Sequence, residues 1–101
     1  MNHVHPAVRV TLGRVVVTSD LWLVLTSQYD SSDVLSELAT VLGRHRGGDW
    51  GNLDEEDWQS NDAGLVDAQR LLSSYCVLGV RVWCITEADR SVTTLLRPET
   101  Y

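Results

Sequence analysis

LLSSYCVLGVRVWCITEADRSVTTLLR, residues 71–97, is the stretch on which the fold turns. It holds three runs of strand-like composition, 71–78, 80–87 and 92–97, rich in β-branched and aromatic residues. Leu78-Gly79 and Ala88-Asp89-Arg90-Ser91 separate them. Connections that short join antiparallel neighbours, so the spacing predicts a three-stranded meander. Alternation along the middle run sets Val80, Val82, Cys84 and Thr86 on one face and Arg81, Trp83, Ile85 and Glu87 on the other. Large apolar groups stand on both faces. One must cover the helices. The other needs side chains from an N-terminal strand, a loop or a second copy of the chain, so a homodimer through the sheet face is expected.

Upstream of this meander the pattern changes. Residues 8–18, VRVTLGRVVVT, read as a strand broken or bulged at Gly13. LWLVL at 21–25 reads as a short buried helix, with Ser19 as its cap and Asp20 in its first turn. From 33 to 44 the apolar residues Val34, Leu35, Leu38, Val41 and Leu42 follow helical spacing. Arg44, His45 and Arg46 suit the negative end of that helix, and Gly47-Gly48 ends it. Asn52 or Asp54 can cap a further short helix through Trp58, with another from about Asn61 to Arg70 weakened by Gly64. The expected fold is therefore α+β: one domain over 1–101, with an N-terminal strand, two to three central helices and a C-terminal three-stranded antiparallel meander packed on them.

Charge is distributed unevenly along the chain. Its 101 residues carry 14 acids and 8 bases, a net charge of −6, and every base is arginine. Seven of the acids (Asp49, Asp54, Glu55, Glu56, Asp57, Asp62 and Asp67) fall within 49–67, which contains no base. That segment holds the whole negative balance. Direct nucleic-acid binding is disfavoured, because phosphate requires a basic surface. A basic partner fits better. No apolar run reaches the ~20 residues of a membrane helix, and residues 1–10 lack the order of a signal peptide, so a cytoplasmic protein is expected.

The densest part of the acidic segment is GGDWGNLDEEDW, 47–58. It fails the calcium-loop pattern, which needs alternating oxygen ligands around a central glycine. The acid run is also a nonspecific match to a magnesium site, and beside that stand two readings. In the first, the acids serve the start of a helix while Trp50 and Trp58 pin the loop to the core. In the second, Asp49, Trp50, Glu55, Glu56 and Asp57 are contacts for a basic groove on a partner. The turn ITEADRS offers another candidate cluster, Glu87, Asp89 and Arg90, either as part of a metal-dependent hydrolase or nuclease or as an ordinary polar turn with threonines paired across strands. His3, His5 and His45 form no metal-ligand spacing, and no cofactor motif is present. A two-residue turn at Leu78-Gly79 sets Cys76 opposite Arg81 and Cys84 opposite Ser73; a three-residue turn sets them opposite Val80 and Leu72. Neither register pairs the two cysteines.

Several of these residues together resemble a family. GDWG at 48–51, Asp57, Asn61, SSY at 73–75, WCITEADRSVTTLL at 83–96, Pro98 and Tyr101 are similar to the pattern of small proteins carried by phages, plasmids and integrative elements. LGRVVVT at 12–18 resembles their opening strand, and Cys84 stands where they usually have isoleucine. Members often carry the label type I restriction subunit M or plasmid-related protein. A methyltransferase subunit needs a doubly wound sheet, a glycine-rich cofactor loop and an N-P-P-aromatic motif, whereas the prolines here are at 6 and 98. What the resemblance implies is a mobile-element setting, in which small acidic proteins often inhibit host defence. The expectation is a non-enzymatic inhibitor of a nucleic-acid-targeting defence system, of anti-CRISPR or antirestriction type, without cofactor, docking on a basic nucleic-acid-binding host protein. A metal-dependent hydrolase using Glu87 and Asp89, or a dimeric accessory subunit, are the alternatives.

Overall fold

Leu78 and Gly79 both adopt left-handed backbone angles, with φ of 51° and 82°. Two such residues in succession make the tight turn whose twist matches a right-twisted hairpin. This two-residue turn fixes the register of β2 (Leu71–Val77) against β3 (Val80–Thr86), with Cys76 opposite Arg81 and Ser73 opposite Cys84. Both cysteines are free. The geometry is that of a computed structural model, which describes residues 9–101. His3 and His5 lie outside the described residues.

β4 (Val92–Leu96) pairs antiparallel with β3 and completes the meander. The sheet does not stop there. β1 (Arg14–Val17) pairs with the outer edge of β4, and this pairing is parallel. The sheet is therefore four-stranded and mixed, in the order β1-β4-β3-β2, rather than a purely antiparallel meander. The expected strand over 8–18 is shorter than composition suggests. Gly13 turns the chain with a φ of +65°, and regular pairing begins after it.

Three helices connect β1 to β2. α1 (Ser19–Thr26) is capped by Thr18, whose Oγ accepts from the Leu21 amide at 3.3 Å. Ser19, the expected cap, is instead the first helical residue. α2 (Ser31–Arg46) buries Val34, Leu38, Val41 and His45 along one stripe. Leu35, assigned to that stripe from sequence, is 56% exposed. α1 and α2 lie on the sheet face bearing Tyr75, Val77, Val82, Cys84 and Leu95, and together they form the main core. Burying large aliphatic side chains of this kind stabilises by about 1.5–3 kcal/mol each.

α3 (Glu55–Asp67) is one continuous helix, where the sequence suggested two. Asp54 caps it by accepting from the Asp57 amide at 2.9 Å. Asn61, a start signal by sequence, sits mid-helix and turns its amide to β2. Gly64 costs helix propensity but allows close approach, since a Cβ there would meet Leu71 at 3.1 Å. α3 packs through Trp58 into a second cluster with Val10, Trp50 and Leu71. On the other sheet face Ile85 and Leu96 are buried within the single chain, and Tyr101 stacks edge-on against Trp83 at 5.6 Å. No helix among the described residues is long and apolar enough to cross a membrane.

Candidate functional site

The loop before α3 is built onto the edge of the sheet. β2 is an edge strand, so alternate amides and carbonyls point away from β3 and need partners. Ser74 donates to the Trp50 carbonyl at 3.1 Å and accepts from the Asn52 amide at 2.6 Å. Two residues along, the Asn61 side chain performs the same service: its Nδ2 donates to the Leu72 carbonyl at 2.7 Å and its Oδ1 accepts from the Leu72 amide at 2.9 Å. Gly51 makes the approach feasible. Its φ is +74°, and a Cβ would lie 2.0 Å from the Ser74 carbonyl oxygen.

The candidate contact residues divide on this scaffold. Trp50, expected at a partner surface, is wholly buried. Its indole donates to Asp62 at 2.9 Å and packs edge-on against His45 and Trp58. It is an anchor of the loop and presents nothing to a partner. Asp49 is spent internally too. Its carboxylate takes two hydrogen bonds from Arg44, at 2.7 and 3.3 Å, and one from the Gly51 amide at 3.1 Å. The Arg44 guanidinium lies over the Tyr75 ring at 4.7 Å, and Tyr75 donates to the Asp49 carbonyl at 2.6 Å. Burial pushes the Tyr75 hydroxyl's pKa upward and keeps it protonated as that donor. Glu55, Glu56 and Asp57 remain exposed on the first turn of α3.

Beside that turn is a groove of about 360 Å³. Leu53 lines it from the loop, Asp57, Ser60 and Asn61 from α3, Leu72 and Trp83 from the sheet, and Arg70 from the residue before β2. The groove joins the acidic turn to the second sheet face. Sequence alone gave no sign of it, because its residues come from four separated segments.

The other candidate cluster is a closed turn. Asp89 accepts from both the amide and the hydroxyl of Ser91, at 3.0 and 2.6 Å, and these bonds lower its pKa. Arg90 donates to main-chain carbonyls: Gln69 at 2.6 Å, Gly64 at 3.3 Å and Glu87 at 3.2 Å. The first two belong to the end of α3 and the residues after it, where unpaired carbonyls concentrate negative charge. The Glu87 carboxylate faces Arg70 at 3.9 Å. Glu87 and Asp89 are thus engaged with different partners. Among the described residues no group of three or more His, Cys, Asp or Glu side chains is placed to hold a metal ion.

The position of His45 between Arg44 and Arg46 predicts a cation at a helix end. It is instead fully buried and neutral, with burial first and the nearby Arg90 charge second holding its pKa down to about 4. Its Nδ1 lies 2.6 Å from Ser73 Oγ and its Nε2 lies 2.8 Å from Thr86 Oγ. Thr86 Oγ lies 2.7 Å from Thr93 Oγ, which donates to the Leu12 carbonyl at 2.7 Å. The proton positions follow by elimination. A carbonyl only accepts, so the Thr93 proton goes to Leu12. Thr86 must then donate to Thr93 and accept from Nε2–H, leaving Nδ1 to accept from Ser73. Ser73 and His45 have the separation of a nucleophile and its base, but neither reaches solvent and no carboxylate orients the ring. Cys84, next to this chain, is also inert: burial raises its pKa to about 12. The chain is a structural link between α2, the sheet and residues before β1. Its signal in the sequence was the set of hydroxyls at inward-facing positions, Ser73, Thr86 and Thr93.

Searches against protein-family models, curated proteins and solved structures returned no match. The residues that carry the mobile-element resemblance mostly occupy the framework just described. GDWG and Asn61 cap the sheet edge, Ser73 and Thr86 belong to the buried chain, and Asp89 and Arg90 form the turn.

Proposed function

We propose that this protein is a non-enzymatic binding factor of a mobile genetic element. It docks the acidic first turn of α3 on a basic site of a nucleic-acid-handling host complex and so inhibits a defence system of anti-CRISPR or antirestriction type. The observation that carries this reading is the exposure of Glu55, Glu56 and Asp57 together on one turn, within a segment that holds the net negative charge of the chain. Helix-start chemistry accounts for Asp54, Arg44 accounts for Asp49 and the Trp50 indole engages Asp62. The first turn of α3 presents its carboxylates to solvent. A surface of this kind attracts basic grooves and competes with phosphate for them. Glu87, Asp89 and Arg90 are engaged within and around their own turn, which favours binding over hydrolysis.

The test compares wild type with Glu55→Arg/Glu56→Arg in affinity capture from host extract at several salt concentrations. The wild type is expected to retain a basic nucleic-acid-handling complex, less so as salt rises. The variant is expected to lose it while its circular dichroism and melting transition stay close to those of the wild type. Equal capture by both proteins would remove this surface from the mechanism.

A further inference from the structure

We infer that the groove between α3 and the sheet is an anchor site for a single arginine side chain of the protein partner. This inference rests on the docking role proposed for the acidic turn and names the residue which that docking inserts. The groove holds about 360 Å³, near the lower end of the range for ligand pockets, which suits one long side chain better than a cofactor. Leu72 and Trp83 offer an apolar wall for an aliphatic stem, and Trp is the best ring for a guanidinium. Asp57 and Ser60 lie on the same side, one helical turn apart, and supply a carboxylate and a hydroxyl to its head. Among the described residues the Asp57 carboxylate has no ion-pair partner, although its backbone amide serves the Asp54 cap.

Arg70, which also lines the groove, is the feature that opposes a cation. Its charge is already engaged. It lies over the Tyr101 ring at 5.2 Å, donates to the Tyr101 hydroxyl and faces Glu87 at 3.9 Å. Asp57 is the acid of the lining and adjoins the exposed Glu56, while Arg70 is directed to Glu87 and Tyr101, so the charge on offer suits a cation. Arginine is favoured over lysine because a planar guanidinium stacks on an indole while it pairs with a carboxylate. A buried arginine in a pocket is also a frequent source of interface energy.

The test uses the capped tripeptide acetyl-Gly-Arg-Gly-amide, titrated into isotope-labelled full chain by NMR. Saturable shifts are expected at the Trp83 indole and the Ser60 amide, with a Kd on the order of millimolar. The citrulline tripeptide, which keeps the shape and loses the charge, is expected to bind about tenfold more weakly. Asp57→Asn is expected to weaken the arginine peptide by about the same factor without lowering the melting temperature. Trp83→Leu should weaken it as well, and its melting curve reports whether the fold is intact. Equal shifts with the citrulline peptide, stronger shifts with acetyl-Gly-Glu-Gly-amide, or no shift at the groove would each overturn the anchor. The two proposals fail separately. Capture that depends on Glu55 and Glu56 but not on Asp57 or Trp83 retires the anchor alone. Arginine binding in the groove without charge-dependent capture retires the docking surface alone.

Discussion

At the scale of single residues, His45 concentrates the largest electrostatic consequence of the fold. Neutral and buried, it accepts from Ser73 and donates to Thr86, and protonation would remove the acceptor and place a charge where no carboxylate compensates it. Its pKa falls from 6.5 to about 4 on folding. The unfolded chain therefore binds the proton first, and stability is complete above 6.5 and declines as pH falls through the window down to about 4. The size of the loss is roughly 3 kcal/mol. Denaturant unfolding across that window should show the decline, and the imidazole resonances should show the Nε2–H tautomer and no titration near 6.5. A flat stability profile together with ordinary titration would mean that the ring is not enclosed. The sequence concealed this role. Between Arg44 and Arg46 a histidine looks like part of a basic helix end, and only its place in the stripe below Val34, Leu38 and Val41 marks it as interior.

Among the secondary-structure elements, protection of β2 organises the whole acidic half of the chain. The Trp50–Asn52 backbone and the Asn61 side chain satisfy Ser74 and Leu72 in succession, so α3 and its loop act as an edge cover. Replacing Asn61 by leucine removes both partners of Leu72 and is expected to cost about 2–3 kcal/mol. Asn61→Asp keeps the acceptor but sets a carboxylate against the Leu72 carbonyl, and it should not rescue the loss. Thermal melts of the three proteins decide the point, and an Asn61→Leu protein as stable as wild type would show that the pairing contributes nothing. The location of α3 was partly legible, since Asp54 and the acids after it signal a helix start. Its continuity was not. An Asn61-Asp62 pair resembles a new cap, and the strand backbone that claims the Asn61 amide is 11 residues away. The meander was legible because short connections leave two neighbouring strands little choice of partner.

In the whole molecule, residues 98–101 cover part of the second sheet face. Tyr101 lies against Trp83 and carries Arg70, so the C-terminal turn shields an aromatic group that the sheet would otherwise present. Deleting residues 98–101 is expected to promote self-association, measured by sedimentation; a truncated chain sedimenting like the full one would show that this cover does not control association. The same measurement on the full chain tests the homodimer expected from the two apolar faces. By itself the sequence determined the class of fold, the long amphipathic helix and the location of the negative charge, and it narrowed the hairpin to two registers. These are set by local properties: alternation, helical spacing, turn residues and net charge. Tertiary structure decided the parallel addition of β1 to β4, the buried proton chain through His45, the burial of Trp50 and the pairing of Asp49 with Arg44, and the groove at Asp57 and Trp83. Each of these joins residues distant in the chain. Their partners are fixed by how the layers pack and by the need to satisfy every buried polar group, and no local pattern in the sequence encodes that.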